Sequence, residues 1–78
     1  MTRKEFIENN AIIQKAIKWL DKNDIEFLSL IAEKKIDPHD DHSILRFKQV
    51  VYHMAWNLNF WEQIRLRNAF KTMMTLEW

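Results

Sequence analysis

The chain contains no glycine, and its one proline is Pro38. That removes most β architectures, because tight two-residue hairpins favour glycine and a barrel or sandwich needs many turns. Lys, Glu, Ile, Leu, Ala and Asn dominate instead, which suits helices. Its 78 residues make one small domain, and a chain of this size buries only about 60% of the surface its unfolded form exposes. Without cysteine there is neither a disulfide nor a thiolate zinc site to hold it. The core must come from apolar packing, and a 47% hydrophobic content supplies it.

The opening "MTRKEFIENN" is charged and lacks the apolar run of a secretory signal. No stretch approaches the roughly eighteen apolar residues of a membrane span. A cytoplasmic location, with no membrane span, is the expectation.

Thr2-Arg3-Lys4-Glu5 reads as a capping box. Phe6, Ile12, Ile13, Ala16, Ile17 and Leu20 then recur at helical spacing, with Lys4, Glu8, Lys15 and Lys18 opposite, predicting one amphipathic helix over about residues 3 to 21. "DKND" (21–24) breaks it, since Asp and Asn compete for backbone hydrogen bonds. Asn23 with Glu26 can cap a second helix, striped by Phe27, Leu28 and Ile31 and flanked by Leu30. Its short link to the first helix suggests an antiparallel hairpin.

Pro38 suits a first helical turn, so a third helix should begin somewhere in 37–43. Its main stripe is Ile44, Phe47, Val51, Met54, Ala55 and Leu58. Leu45, Tyr52 and Trp56 lie on another side, as expected of a helix covered from both sides. Asn59 with Glu62 caps a fourth helix, on which Phe60 and Ile64 point one way and Leu66, Ala69, Phe70 and Met73 another. One continuous rod is the alternative, since neither Gly nor Pro forces a break. The expected fold is all-α: a small three- to four-helix antiparallel bundle, helix three central.

"HDDH", His39 to His42, offers imidazole and carboxylate together. A metal site needs ligands converging on one point with support behind them. His39 and His42 are spaced to share a helical face, with His53 as a distant third ligand, but no known metal spacing is present. A helix amino terminus uses every acidic residue and needs no ligand: Asp37 caps, Pro38 takes the first position, and Asp40 and Asp41 meet the positive end of the dipole. Capping is the stronger expectation, and neither a metal nor a cofactor is expected. His53 is expected to be a partly buried, hydrogen-bonded residue.

Enzymatic chemistry finds little support. No glycine-rich loop can cradle a phosphate, and there is no cysteine nucleophile. Ser29 sits on an apolar helix, and Ser43 has only its sequence neighbour His42 as a base. The chain is expected not to be an enzyme.

Charge is unevenly placed. Residues 1–42 hold seven Lys/Arg against nine Asp/Glu, and residues 43–78 hold five against two, for a net charge of +1. Arg65, Arg67 and Lys71, with Arg46 and Lys48, can line one surface near the stacking rings of Phe60, Trp61 and Phe70. Nucleic-acid binding through this basic C-terminal helix is therefore an alternative function, although the acidic link at 37–41 repels phosphate.

The strongest signal is a surplus of large apolar side chains. "YHMAWNLNFW" (52–61) holds four aromatics in ten positions, and Trp19, Phe47, Phe70, Met73, Met74 and Trp78 add to them. A core of this size takes about a dozen large side chains, and the first three helices already supply them. Exposed aromatics, Met and Arg are the currency of interface centres. The expected function is a small non-enzymatic protein-binding module, a modulator, inhibitor or adaptor of a partner protein. Its interface is expected at Trp56, Trp61, Phe70, Met74 and Trp78, with Arg65 and Arg67 as cations. The partner is another protein, or a second copy in a homodimer. A bacteriophage or mobile element is the expected origin, a guess that rests on no chemistry.

Overall fold

A computed structural model describes residues 1–76. They form five α-helices: α1 (Arg3–Asn9), α2 (Ala11–Ala16), α3 (Lys22–Ala32), α4 (Ile44–Ala55) and α5 (Phe60–Met74), with a 3-10 turn at Ile17–Trp19. No strand occurs among the described residues.

The expected first helix is split. Its capping box is present: Glu5 N donates to Thr2 Oγ1 at 3.1 Å and Thr2 N to Glu5 Oε1 at 3.3 Å. At Asn10 the backbone turns extended, and Asn10 both ends α1 and caps α2 by accepting from Ile13 N at 3.1 Å. The Ile7 carbonyl accepts from Asn10 N at 3.4 Å and from Gln14 Nε2 at 2.8 Å. The break turns Ile7 inward as a core residue, while Phe6 is only half-buried.

α3 begins two residues earlier than Asn23 implies. Asp21 is the N-cap, accepting from Asp24 N at 2.8 Å. Its far end is a Schellman motif, with Lys34 N donating to Ile31 O at 3.0 Å and Lys35 N to Leu30 O at 2.9 Å. That motif wants a left-handed residue, usually glycine. In a glycine-free chain Lys34 takes the position, at φ 58°.

The "HDDH" stretch is not a helix start. Residues 37–43 form consecutive turns, with Asp37 accepting from His39 N at 2.9 Å and Asp40 O accepting from Ser43 N and Ile44 N. α4 begins at Ile44, its first turn holds no acidic residue, and Ser43 makes no side-chain cap. Burial of Pro38 accounts for the difference. With the ring packed inward, the chain turns around it and the acidic residues are carried out to solvent. Asn59 does cap α5, with a capping box to Glu62, so α4 and α5 are separate helices. Gln63 Nε2 fastens the intervening turn by donating to Leu58 O at 3.0 Å.

Every α-helix contributes to one core, with Ile13, Ile31, Val50, Met54, Leu66 and Met73 almost wholly buried. α5 packs on α1, α2 and α4, and α4 also packs on α2, α3 and the 3-10 turn. The radius of gyration, 11.5 Å, equals the roughly 11.5 Å expected of a compact chain of this length. The second apolar set on α4 is not covered from the other side, because Leu45, Tyr52 and Trp56 are all exposed.

Two polar ties join helices around this core. Lys15 on α2 pairs with Glu62 on α5. That hydrogen bond first, then the one from the Asn59 backbone, holds the Glu62 carboxyl below its ordinary value of 4.5, against a smaller opposing effect of burial. A carboxyl lowered on folding contributes stability that is complete above its unfolded value and lost as pH falls through the folded one. Titrated between about pH 5 and pH 3, the melting temperature of Glu62→Gln should therefore fall less than that of the native chain. Parallel acid limbs in the two proteins would show that the tie contributes nothing. The second tie joins α3 to α4 through Asp24.

Candidate functional site

Asp24 is the one buried charged residue among the described residues, 1% exposed. Its Oδ2 lies 2.7 Å from His53 Nδ1 and its Oδ1 2.6 Å from Arg46 Nη1. Oδ1 accepts no well-directed hydrogen bond, so the Arg46 contact is coulombic, and the guanidinium also lies 5.7 Å from the Phe27 ring centroid. With the carboxylate ionised, His53 donates from Nδ1. His53 is thus hydrogen-bonded as expected, but its side chain is about half exposed. Asp24 thereby ties the first turn of α3 to two turns of α4.

Among the described residues, no group of three or more His, Asp or Glu side chains is placed to hold a metal ion. His39 and Asp37 come within 3.6 Å of each other, both in open solvent.

The larger concavity lies between α4 and α5, an open groove of about 800 Å3. Its floor is apolar: Phe47, Val51 and Ala55 from α4, Phe70 and Met74 from α5. Phe70 is 4% exposed and meets Phe47 edge to face, centroids 5.5 Å apart. One wall is a pair of exposed rings, Tyr52 and Trp56, 5.4 Å apart. Lys48 on α4 and Arg67 and Lys71 on α5 complete the lining with Gln63 and His39, and no carboxylate of the described residues lines the groove. A smaller cleft of about 280 Å3, bordered by residues of α1, α2 and α3, mixes Lys4 with Glu8 and Glu33.

Helical spacing builds this arrangement. Phe47-Lys48, Val51-Tyr52 and Ala55-Trp56 recur every four residues along α4, so one edge carries apolar side chains and the next carries exposed ones. Gln63, Arg67 and Lys71 follow the same rule on α5, and Met74 comes three residues after Lys71. These pairs are visible in the sequence, yet Val51 and Tyr52 are missed as interface residues because their stripes read equally well as core, and Lys48 is placed only in the basic set.

Seven residues were expected at one interface. Four of them, Trp56, Arg67, Phe70 and Met74, line the groove. Phe70 belongs to the core as well, so it contributes a floor and no projecting side chain. Trp61, 70% exposed, packs edge to face on Phe60 at 5.4 Å and does not line the groove. Arg65, one turn along from Trp61, shares its side of α5, turned away from Arg67 by about 160° at 100° per residue. The expected single basic surface is therefore divided. Trp78 lies outside the described residues.

Among the described residues no helix is long and apolar enough to cross a membrane. Comparison with family models, curated proteins and solved structures finds no match to this chain.

Proposed function

We propose that the chain is a non-enzymatic protein-binding module, a modulator, inhibitor or adaptor acting in the cytoplasm, which docks its partner in the groove between α4 and α5. The observation that carries this is the placing of Tyr52 and Trp56, 59% and 67% exposed, beside an apolar groove of about 800 Å3. Large rings standing in water next to unfilled apolar surface gain free energy when a partner covers them. No cofactor is needed for that role.

Light scattering and affinity capture test it together. Captured from extract of its source cells, a partner should be retained by the native chain and lost from Trp56→Asp, with both proteins equally folded by circular dichroism. Equal retention by the variant would remove the groove from the interaction. A dimer that persists in high salt and is lost in Trp56→Asp would make the partner a second copy.

One observation favours a second reading. Lys48, Arg67 and Lys71 share the groove with Tyr52 and Trp56, and cations beside stacking rings also bind single-stranded nucleic acid. Affinity for a labelled oligonucleotide would then fall steeply with salt and vanish in Arg67→Glu/Lys71→Glu. Arg65, on the far side of α5, would contribute little.

A further inference from the structure

We infer that the groove between α4 and α5 takes an acidic amphipathic helix of about three turns, an assignment that rests on the protein-binding function proposed above. Three features define the occupant. The first is length. Phe47 to Trp56 on α4 spans about 14 Å and Gln63 to Met74 on α5 about 16 Å at 1.5 Å per residue, which a helix of about ten residues covers. The second is the backbone of the walls. Both are helices whose amide and carbonyl groups are satisfied internally, so there is no free edge for an added strand. An extended peptide would bring unpaired backbone groups onto the apolar floor. A helix arrives with its backbone already bonded and presents apolar residues at i, i+3, i+4 and i+7 to Phe47, Val51, Ala55, Phe70 and Met74.

The third feature is charge. Lys48 stands on the α4 side and Arg67 and Lys71 on the α5 side, with no carboxylate among the described residues of the lining. Cations on both walls match a helix that carries Asp or Glu along both borders of its apolar face. All three are exposed, so they select the partner and steer its approach, while the floor supplies most of the affinity. Nucleic acid fits less well. The floor of Phe47, Val51, Ala55, Phe70 and Met74 offers no hydrogen-bond partner to a phosphate backbone or to base edges, whereas it matches the apolar face of a helix.

Synthetic peptides test the assignment on the full chain. One carries Leu at i, i+3, i+4 and i+7 with Glu on both borders, the second has Lys in place of Glu, and the third scrambles the acidic one. Binding is followed by calorimetry and by the blue shift of Trp56 emission, with Trp56→Phe identifying its share of the signal. The acidic helix should bind about tenfold tighter than the basic one, the sum expected of three exposed ion pairs. The charge-reversed Lys48→Glu/Arg67→Glu/Lys71→Glu chain should invert that order, and the scrambled peptide should bind neither protein. Equal affinity for the acidic and basic helices would overturn the assignment, as would equal affinity for the scrambled peptide. Tighter binding of dodecanoate or of an oligonucleotide at the same residues would replace it with another ligand class. If no peptide binds while Trp56→Asp still abolishes partner capture, the acidic helix is wrong and the protein-binding function stands. Failure of both experiments removes both.

Discussion

Asp24→Ala should destabilise the protein by about 2–3 kcal/mol in urea or thermal unfolding. Removing one member of a buried charge pair typically costs about 3–5 kcal/mol, because the partner is left charged and unpaired in a poor solvent. Here the partners soften that cost. Arg46 is one-third exposed and His53 about half exposed, so both can turn to water when the carboxylate is lost. What cannot be recovered is the link itself. Asp24 sits in the first turn of α3, and its two oxygens reach residues two turns apart on α4. A chain this short has a total stability of only about 4–12 kcal/mol at the usual margin per residue, so the variant loses a large part of it. Asp24→Asn should fall between the two, because the amide keeps an acceptor for His53 Nδ1 but gives Arg46 no charge. An Asp24→Ala chain within about 0.5 kcal/mol of native would mean that α3 and α4 are held by apolar packing alone.

The Asp24 tie marks a limit of what the residue pattern discloses. Both capping boxes are legible because each is confined to four consecutive residues: Thr2 with Glu5 and Asn59 with Glu62. The α5 core face of Leu66, Ala69, Phe70 and Met73 is legible for the same reason, since its spacing is a property of one helix. By contrast, Asp24 reads as part of a polar turn. Only the packing of α3 on α4 brings His53, 29 residues away, against it. Asn10 is ambiguous in the same way. Its side chain can point to solvent within a continuous helix or cap a new one, and the choice depends on whether Ile7 or Phe6 gains more by turning inward. At 37–43 the local signals for a cap are strong, yet burial of Pro38 overrides them. The groove is half legible. The aromatic surplus predicts apolar surface on α4, but which of two stripes faces α5 is fixed by Val50 and Met54 entering the core.

The last expectation separates the two uses of that surplus. Phe70→Ala should cost about 3–4 kcal/mol, the usual range for emptying a buried phenylalanine site, including the loss of its edge contact with Phe47. Trp56→Ala and Trp61→Ala should each stay within about 0.5 kcal/mol of native, because both side chains already stand mostly in water. Measured by denaturant unfolding at constant m-value, these numbers sort the aromatic residues by where their free energy is realised. A Trp56→Ala chain destabilised as much as Phe70→Ala would make Trp56 a core residue, and its exposure would no longer argue for a partner. The expected contrast has a practical consequence for the groove. Phe70 forms its floor and part of the core at once, so a binding defect in Phe70→Ala cannot be separated from unfolding. Trp56 forms only the wall, and its replacement changes what the groove can hold while leaving the protein that presents it intact.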